Sequence, residues 1–347
     1  MLKILVVLVC ALTAISSHAE DITGAGSTAA APLYSKWEQA YAKKSDLKLS
    51  YESIGSSGGI KKIKENAVGF GASDAPMSSA ELKASNLMDF PTVISGVVPF
   101  YNLPGIKPGE LRLTPEILVG IYMGDILKWD DPAIVKANPD LNLPKQAIIP
   151  YARLDGSGTT FTLTDYFTRV SPKWKDKFGT DFKIAWPSNV TQIKGSNDIV
   201  ATLKKTPYSM GYTEYAYIIE NNLSFAQLKN RDGVFVKPSA VSFRAALAKS
   251  GWGKTGNFEE MLTDKSGSGS WPITGGTYIL VPRVTKEPQR TAAALKFFTW
   301  AFIHGDEIAN SLDYIRLPDA VQGRVYHEIS SIEDTQGNQL VVSIEME

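Results

Sequence analysis

The chain has 347 residues, with 36 lysines and arginines balancing 36 aspartates and glutamates, so no overall charge draws it to nucleic acid or to an anionic membrane surface. One cysteine, Cys10, and three histidines exclude a disulfide framework and make a histidine-built metal centre improbable, and no cofactor motif stands out. The length suffices for two domains with sizeable cores.

The first 19 residues, MLKILVVLVCALTAISSHA, carry Lys3, an apolar run too short to span a bilayer, and a small-residue exit at Ala19. This is the pattern of a cleaved secretory signal peptide. Cys10 lies inside the apolar run after Val9 and leaves with it, as does His18, so only His304 and His327 remain. Losing Lys3 turns 36 against 36 into 35 against 36, about −1 for the mature chain.

Next, PLYSKWEQAYAKK sets Leu33, Trp37 and Tyr41 four residues apart on one helical face. LKLSYESI reads as a strand, and GGIKKIKENAV as a second helix with Ile60, Ile63 and Ala67 on one face. Gly69-Phe70-Gly71 and TVISGVVPFYNLPG mark further strands, and Ser78 with Glu81 forms a capping box that opens another helix. A turn-rich middle third ends in the Gly/Ser-rich TDKSGSGSWPITGG. Beyond it, TYILVP reads as a buried strand and TAAALKFFTWAFIHG as an apolar helix closing at Gly305. Strands alternating with helices indicate an α/β fold with a mostly parallel sheet. The arrangement suggests two lobes, residues 20–100 with 273–347 and residues 101–272.

Three loops share one composition: GAGSTAA (Gly24 to Ala30), GSSGG (Gly55 to Gly59) and GSGTT (Gly156 to Thr160). Each precedes a helical pattern. Glycines let backbone N–H groups approach a ligand, hydroxyls donate from the sides, and the helix start adds unpaired N–H groups and partial positive charge. Such loops bind anions, although any one of them is equally an ordinary helix cap. None carries the lysine of a nucleotide P-loop. GAGSTA fits a dinucleotide fingerprint, but Glu20 to Thr23 before it is barely a strand. GSSGG fits a hydrolase elbow with Ser57 as nucleophile, yet His304 closes an apolar helix and His327 lies in a polar tail.

Arg153, in RLDGSGTT, has a planar fork suited to an oxyanion, or alternatively pairs with Asp155 two residues on. Asp74, in FGASDAP, is redundant as a cap because Ser78 starts the next helix. A carboxylate beside a bound anion repels it unless the anion carries a proton to donate.

YESIGSSGGIKKI, GFGASDAPMS, ILKWDDPAIVKANPDLNLP, RLDGSGTT, MGYTEYAY and WPIT, in this order, resemble the periplasmic phosphate-binding proteins of bacterial high-affinity phosphate ABC importers. The resemblance spans the mature chain. It implies a hinged, two-lobed type II periplasmic binding fold that holds one inorganic phosphate in the cleft and delivers it to a membrane permease. By motif it assigns the ligand to Thr28, the amide of Ala29, Ser56, Asp74, Arg153, Ser157, Gly158 and Thr159, with Asp155 pairing the arginine. It also implies a monomeric periplasmic protein without enzymatic activity or cofactor. One departure is Ala29-Ala30, where the family pattern has a phenylalanine and a proline, so the pocket loses a ring. On this reading Asp74 selects phosphate, which has a P–OH, over sulfate, which has none at neutral pH. The open alternatives are a secreted phosphatase or serine hydrolase on a related scaffold and a binding protein for another oxyanion.

Overall fold

A computed structural model describes residues 21–340; the signal peptide read at residues 1–19 lies outside them. No helix among the described residues is long and apolar enough to cross a membrane.

One large sheet organises the chain. Across it the strands run Leu49–Ser53, Ile22–Gly26, Phe70–Ser73, Thr274–Pro282, Leu87–Asn102, Ser209–Glu214, Ile149–Arg153 and Thr191–Ile193. The expectation of a mostly parallel sheet needs correcting. Four strand pairs are parallel and five are antiparallel. The parallel pairs lie at the two ends, each built from strand–helix–strand units. The antiparallel pairs lie in the centre, where the chain passes from one half to the other on Leu87–Asn102 and returns on Thr274–Pro282. Opposite directions of crossing force antiparallel pairing there. The 16-residue strand Leu87–Asn102 pairs with the returning strand up to Gly96 and with Ser209–Glu214 from Val97 onward.

Each half has its own aromatic core. In the first, the helix Ala31–Tyr41 buries Leu33, Tyr34, Trp37 and Tyr41 against the apolar helix Pro288–His304. Phe298 meets the rings of Tyr34 and Phe70 at 5.7 and 4.9 Å, and the Trp37 indole donates to the Gly305 carbonyl at 3.0 Å. Burial of each such side chain contributes about 1.5–3 kcal/mol. In the second half Tyr122, Phe167, Trp174 and Trp186 form the equivalent cluster.

Most expected elements are present, with shifted ends. The second helix is Ser56–Lys64 and stops short of Ala67, which is exposed, because Asn66 takes a left-handed φ of 55°. The Ser78–Glu81 capping box forms as read. Of the segment expected to be barely a strand, Ile22 and Thr23 are strand residues, and the strand runs on through Gly24–Gly26 of the first loop, so that Ile22–Gly26 is paired on both sides. Three of its five residues are small, and Gly26 is required: at φ 139° its Cβ would lie 2.0 Å from the Ala72 carbonyl oxygen.

Candidate anion-binding cleft

The two halves of the sheet present their strand ends and helix starts to one another, which is where α/β sheets collect ligands. The loops after Ile22–Gly26, Leu49–Ser53 and Ile149–Arg153 enter the helices Ala31–Tyr41, Ser56–Lys64 and Gly158–Val170. A fourth helix, Ser196–Lys205, joins them. Its Gly195-Ser196 start has the same Gly/Ser composition as the three loops and escaped notice in the sequence.

Asp74 follows the end of strand Phe70–Ser73 and is 7 % exposed. Its Oδ1 accepts from Ser27 Oγ at 2.5 Å and Thr277 Oγ1 at 2.7 Å, and its Oδ2 accepts from Ser56 Oγ at 3.3 Å. Burial pushes its carboxyl up to about 6, helped by the nearby Glu214 charge and opposed by the hydroxyls of Ser27 and Thr277 and by Arg153.

Arg153 is 1 % exposed. Its Nε donates to Asp155 Oδ1 at 2.8 Å and its Nη2 to Asp155 Oδ2, so the two parallel bonds of the fork go to Asp155 rather than into the cleft. Its Nη1 is the edge turned to the cleft, reaching Thr28 Oγ1 and Ser196 Oγ at 3.0 Å each. Asp155 Oδ1 also accepts from the Gly195 amide at 2.9 Å. Burial alone would raise the Asp155 carboxyl, but the bonds and charge of Arg153 hold it below its ordinary value. Burial would likewise lower the guanidinium, and Asp155 more than offsets that.

The remaining expected residues converge on this pair. Thr28 Oγ1 also bonds Ser196 Oγ at 2.9 Å. The Ala29 amide donates to Ser27 Oγ at 3.0 Å, so Ser27 links it to Asp74. Ser56 Oγ accepts from the amides of Asp74 and Gly158, both at 3.1 Å. Ser157 Oγ caps its own helix by accepting from the Thr160 amide at 3.2 Å, the ordinary role of a serine at that position. Thr159 Oγ1 donates to Glu214 Oε1. Asp74, Thr159, Glu214 and Thr277 share a small cavity with Ala29 and Thr162.

Several of these partners were missed in the sequence. The carbonyls of Ser27, Thr28 and Ala29 each accept a tyrosine hydroxyl, from Tyr51 at 2.7 Å, Tyr217 at 3.0 Å and Tyr314 at 2.5 Å. Three separate elements thus bond the carbonyls of this loop. Glu214 stood in the quoted stretch MGYTEYAY but had no role assigned. Ser57 Oγ lies against the loop at Gly156, where a Cβ on that glycine would sit 2.2 Å from it.

Gly158 sits at a close approach of the halves. A Cβ there would lie 2.4 Å from Ser56 Oγ and 2.6 Å from Asp74 Cβ. Gly158→Ala should therefore obstruct approach of the halves while leaving each core intact. Overpacking of about 1–3 kcal/mol corresponds to roughly fivefold to 150-fold weaker anion binding. Calorimetric titration beside a melting curve checks this: unchanged affinity would show that the halves need not come this close.

The PBP superfamily domain matches residues 13–303. The phosphate-binding protein PstS of Pasteurella multocida is 44 % identical over 308 residues, covering 89 % of each chain. That of Haemophilus influenzae is 42 % identical over 302 residues, 87 % of this chain and 90 % of its own. This chain belongs to the PstS family of the PBP superfamily. Among solved structures, a phosphate-binding protein from Stenotrophomonas maltophilia superposes with a TM-score of 0.68 at 21 % identity, over 89 % of this chain and 94 % of that one. A putative phosphate transporter substrate-binding protein from Clostridium perfringens, with bound phosphate, gives 0.62 at 19 % identity, over 86 % and 100 %. These structures establish the two-lobed binding-protein fold. PstS membership and the ordered loops together account for the convergence of four helix starts on Arg153 and Asp74.

Proposed function

We propose that this chain captures inorganic phosphate between its lobes by hydrogen bonds alone and delivers it to the membrane permease of an ABC importer. The observation that carries this reading is the pairing of opposites in the cleft: one guanidinium, restrained by Asp155, faces a buried carboxylate that already accepts hydroxyls. A site for a fully deprotonated anion has no use for Asp74. A phosphate with a P–OH donates to that carboxylate while its other oxygens accept from Arg153, Thr28, Ser56, Gly158 and Thr159. Hydroxyls and helix-start amides disperse the charge without adding further cations.

Among the described residues the lobes are 21–100 with 273–340 and 101–272, hinged on the two central strands. Contacts of Thr28 with Arg153, of Ser56 with Gly158 and of Thr28 with Tyr217 join them. Closure about the ligand is the change a permease reads, since it couples occupancy to lobe orientation. The protein acts as a periplasmic monomer with no cofactor and no covalent step, because cargo has to be released unchanged.

Calorimetric titration of the ligand-stripped mature protein with phosphate and then sulfate at neutral pH tests this. A one-to-one phosphate isotherm at about 1 μM or tighter, near −8 kcal/mol, with no sulfate heat is the expected result. Absence of phosphate binding, or comparable sulfate binding, overturns it. Turnover of a phosphomonoester, lost in Ser57→Ala, would put a hydrolase in its place.

A further inference from the structure

Two of the three tyrosines on the Ser27 to Ala29 carbonyls come from the same half as that loop. Tyr51 lies in the strand Leu49–Ser53, and Tyr314 just before the short strand Ile315–Arg316. The third reaches over from the other half. Tyr217 sits in the short helix Tyr215–Glu220, is 3 % exposed, and donates across the cleft to the Thr28 carbonyl at 3.0 Å. Burial holds its phenol above the ordinary value, so it stays a donor at any pH the protein works in. A second bond crosses at the start of the helix Ser56–Lys64. There the Ser57 amide, one of the N–H groups that a helix start leaves unpaired, donates to the Gly156 carbonyl at 3.1 Å.

Other bonds between the halves use groups that the anion itself would engage. Arg153 Nη1 to Thr28 Oγ1, Thr28 Oγ1 with Ser196 Oγ, and the Gly158 amide to Ser56 Oγ each tie up a group that phosphate takes over on entry. Those bonds compete with the ligand. The Tyr217 and Ser57 bonds do not, because each spends its donor on a backbone carbonyl of the opposite half and neither donor is one of the anion's partners. Both therefore remain available with the cleft occupied.

We propose that Tyr217 is a positioning residue that, with the Ser57–Gly156 contact, clasps the two halves over the anion without touching it, and so sets how fast the anion is released. The release rate rests on phosphate being the ligand; the effect on closure does not. The two bonds weigh equally in the empty and the occupied closed forms, so they shift the opening equilibrium and leave the choice among anions to Arg153 and Asp74. Losing one neutral hydrogen bond corresponds to about threefold to tenfold in such an equilibrium. Tyr51 and Tyr314 have no such lever, since their bonds lie within one half and survive opening.

The test is stopped-flow association and release of inorganic phosphate, with small-angle X-ray scattering of the ligand-free protein, on the natural chain, Tyr217→Phe, Gly156→Ala and Tyr314→Phe. Phenylalanine keeps each ring and removes only the hydroxyl. An alanine Cβ at position 156 would meet Ser57 Oγ at 2.2 Å and so part the halves at the second bond. Tyr217→Phe and Gly156→Ala should each release phosphate about threefold to tenfold faster, with the association rate and the phosphate-to-sulfate ratio changed less than about twofold. Both should scatter as a more open ligand-free particle. Tyr314→Phe loses a bond of the same kind, so its melting temperature should fall as that of Tyr217→Phe does, while its ligand-free scattering stays that of the natural protein. An unchanged release rate in Tyr217→Phe, or equal acceleration in Tyr314→Phe, overturns the proposal. A natural protein that binds no phosphate faults the functional reading instead, and the clasp is then decided by scattering alone: an unchanged radius of gyration in Tyr217→Phe overturns it.

Discussion

Replacing Asp74 by asparagine is expected to narrow the preference for phosphate over sulfate by about 10⁴. In the natural cleft a sulfate oxygen meets a carboxylate with no proton between them, and the buried acceptor is both unsatisfied and repelled. Asparagine keeps an oxygen for Ser27 and Thr277, which hold Asp74 Oδ1 at 2.5 and 2.7 Å, and can offer its amide N–H groups to either anion. Competition titrations at neutral pH measure the ratio; if it is unchanged, discrimination resides elsewhere in the cleft. The unaltered protein provides a second view of the same group. Its Asp74 carboxyl, pushed up to about 6, takes up its proton as the pH falls through that value. Sulfate binding should therefore emerge in the natural protein below about pH 6 and be independent of pH there in Asp74→Asn.

The same substitution bears on stability, with the opposite sign to function. A carboxyl raised from 3.8 unfolded to about 6 folded contributes stability that is fully present below about pH 4 and is lost as the pH rises through about 6. At neutral pH the ionised Asp74 thus weakens the ligand-free fold. That rise corresponds to roughly 3 kcal/mol, so Asp74→Asn should be the more stable protein by up to that amount at pH 7. The advantage should vanish near pH 4. Urea unfolding at both values checks it, and a less stable variant at neutral pH would mean that the hydroxyl bonds to the charge outweigh its burial. If Asp74 selects the ligand as proposed, it is a stability and function trade-off located at one side chain.

Much of this was legible in the chain because the signals are local. Glycine and hydroxyl residues ahead of an amphipathic run announce a helix start, and the four-residue spacing of Leu33, Trp37 and Tyr41 announces the face that packs on the helix carrying Phe297 and Phe298. Arg153 and Asp155 are two residues apart, so their pairing could be weighed from sequence alone. What escaped depends on chain segments meeting across the sheet. Thr277 lies 203 residues from Asp74, and its alternation within TYILVP marks only a strand, not which neighbour its hydroxyl faces. Nothing local singles out Tyr51, Tyr217 and Tyr314, and only the folded chain directs their hydroxyls to three consecutive carbonyls. Glu214 ends a strand of buried residues, where a lone carboxylate has no periodicity to announce its partners. The antiparallel centre of the sheet was hidden for a related reason: local patterns give strands, while strand direction follows from where the chain crosses between lobes.

Arg153→Met should abolish measurable phosphate binding, by at least about thousandfold or 4 kcal/mol, because it removes the one cation among three carboxylates. It should also destabilise the fold by about 3–5 kcal/mol, since Asp155, whose side chain is 9 % exposed, keeps only the Gly195 amide as a close partner. Loss of binding alone would then be ambiguous between chemistry and unfolding. Adding Asp155→Asn resolves it: the double variant should recover most of the stability, having no unpaired charge, and none of the affinity. Arg153→Lys sharpens the point further. An ammonium keeps the charge but cannot hold both oxygens of Asp155 and still extend a donor to Thr28 and Ser196, as the guanidinium does with Nε and Nη2 on one side and Nη1 on the other. A lysine variant that binds phosphate nearly as well as the natural protein would show that formal charge suffices. Weak binding in a stable lysine variant, read by melting curves beside calorimetry, would show that the arginine is needed as a rigid bridge. Its outer edge is neutralised so that its inner edge can meet an anion without holding it too tightly to release.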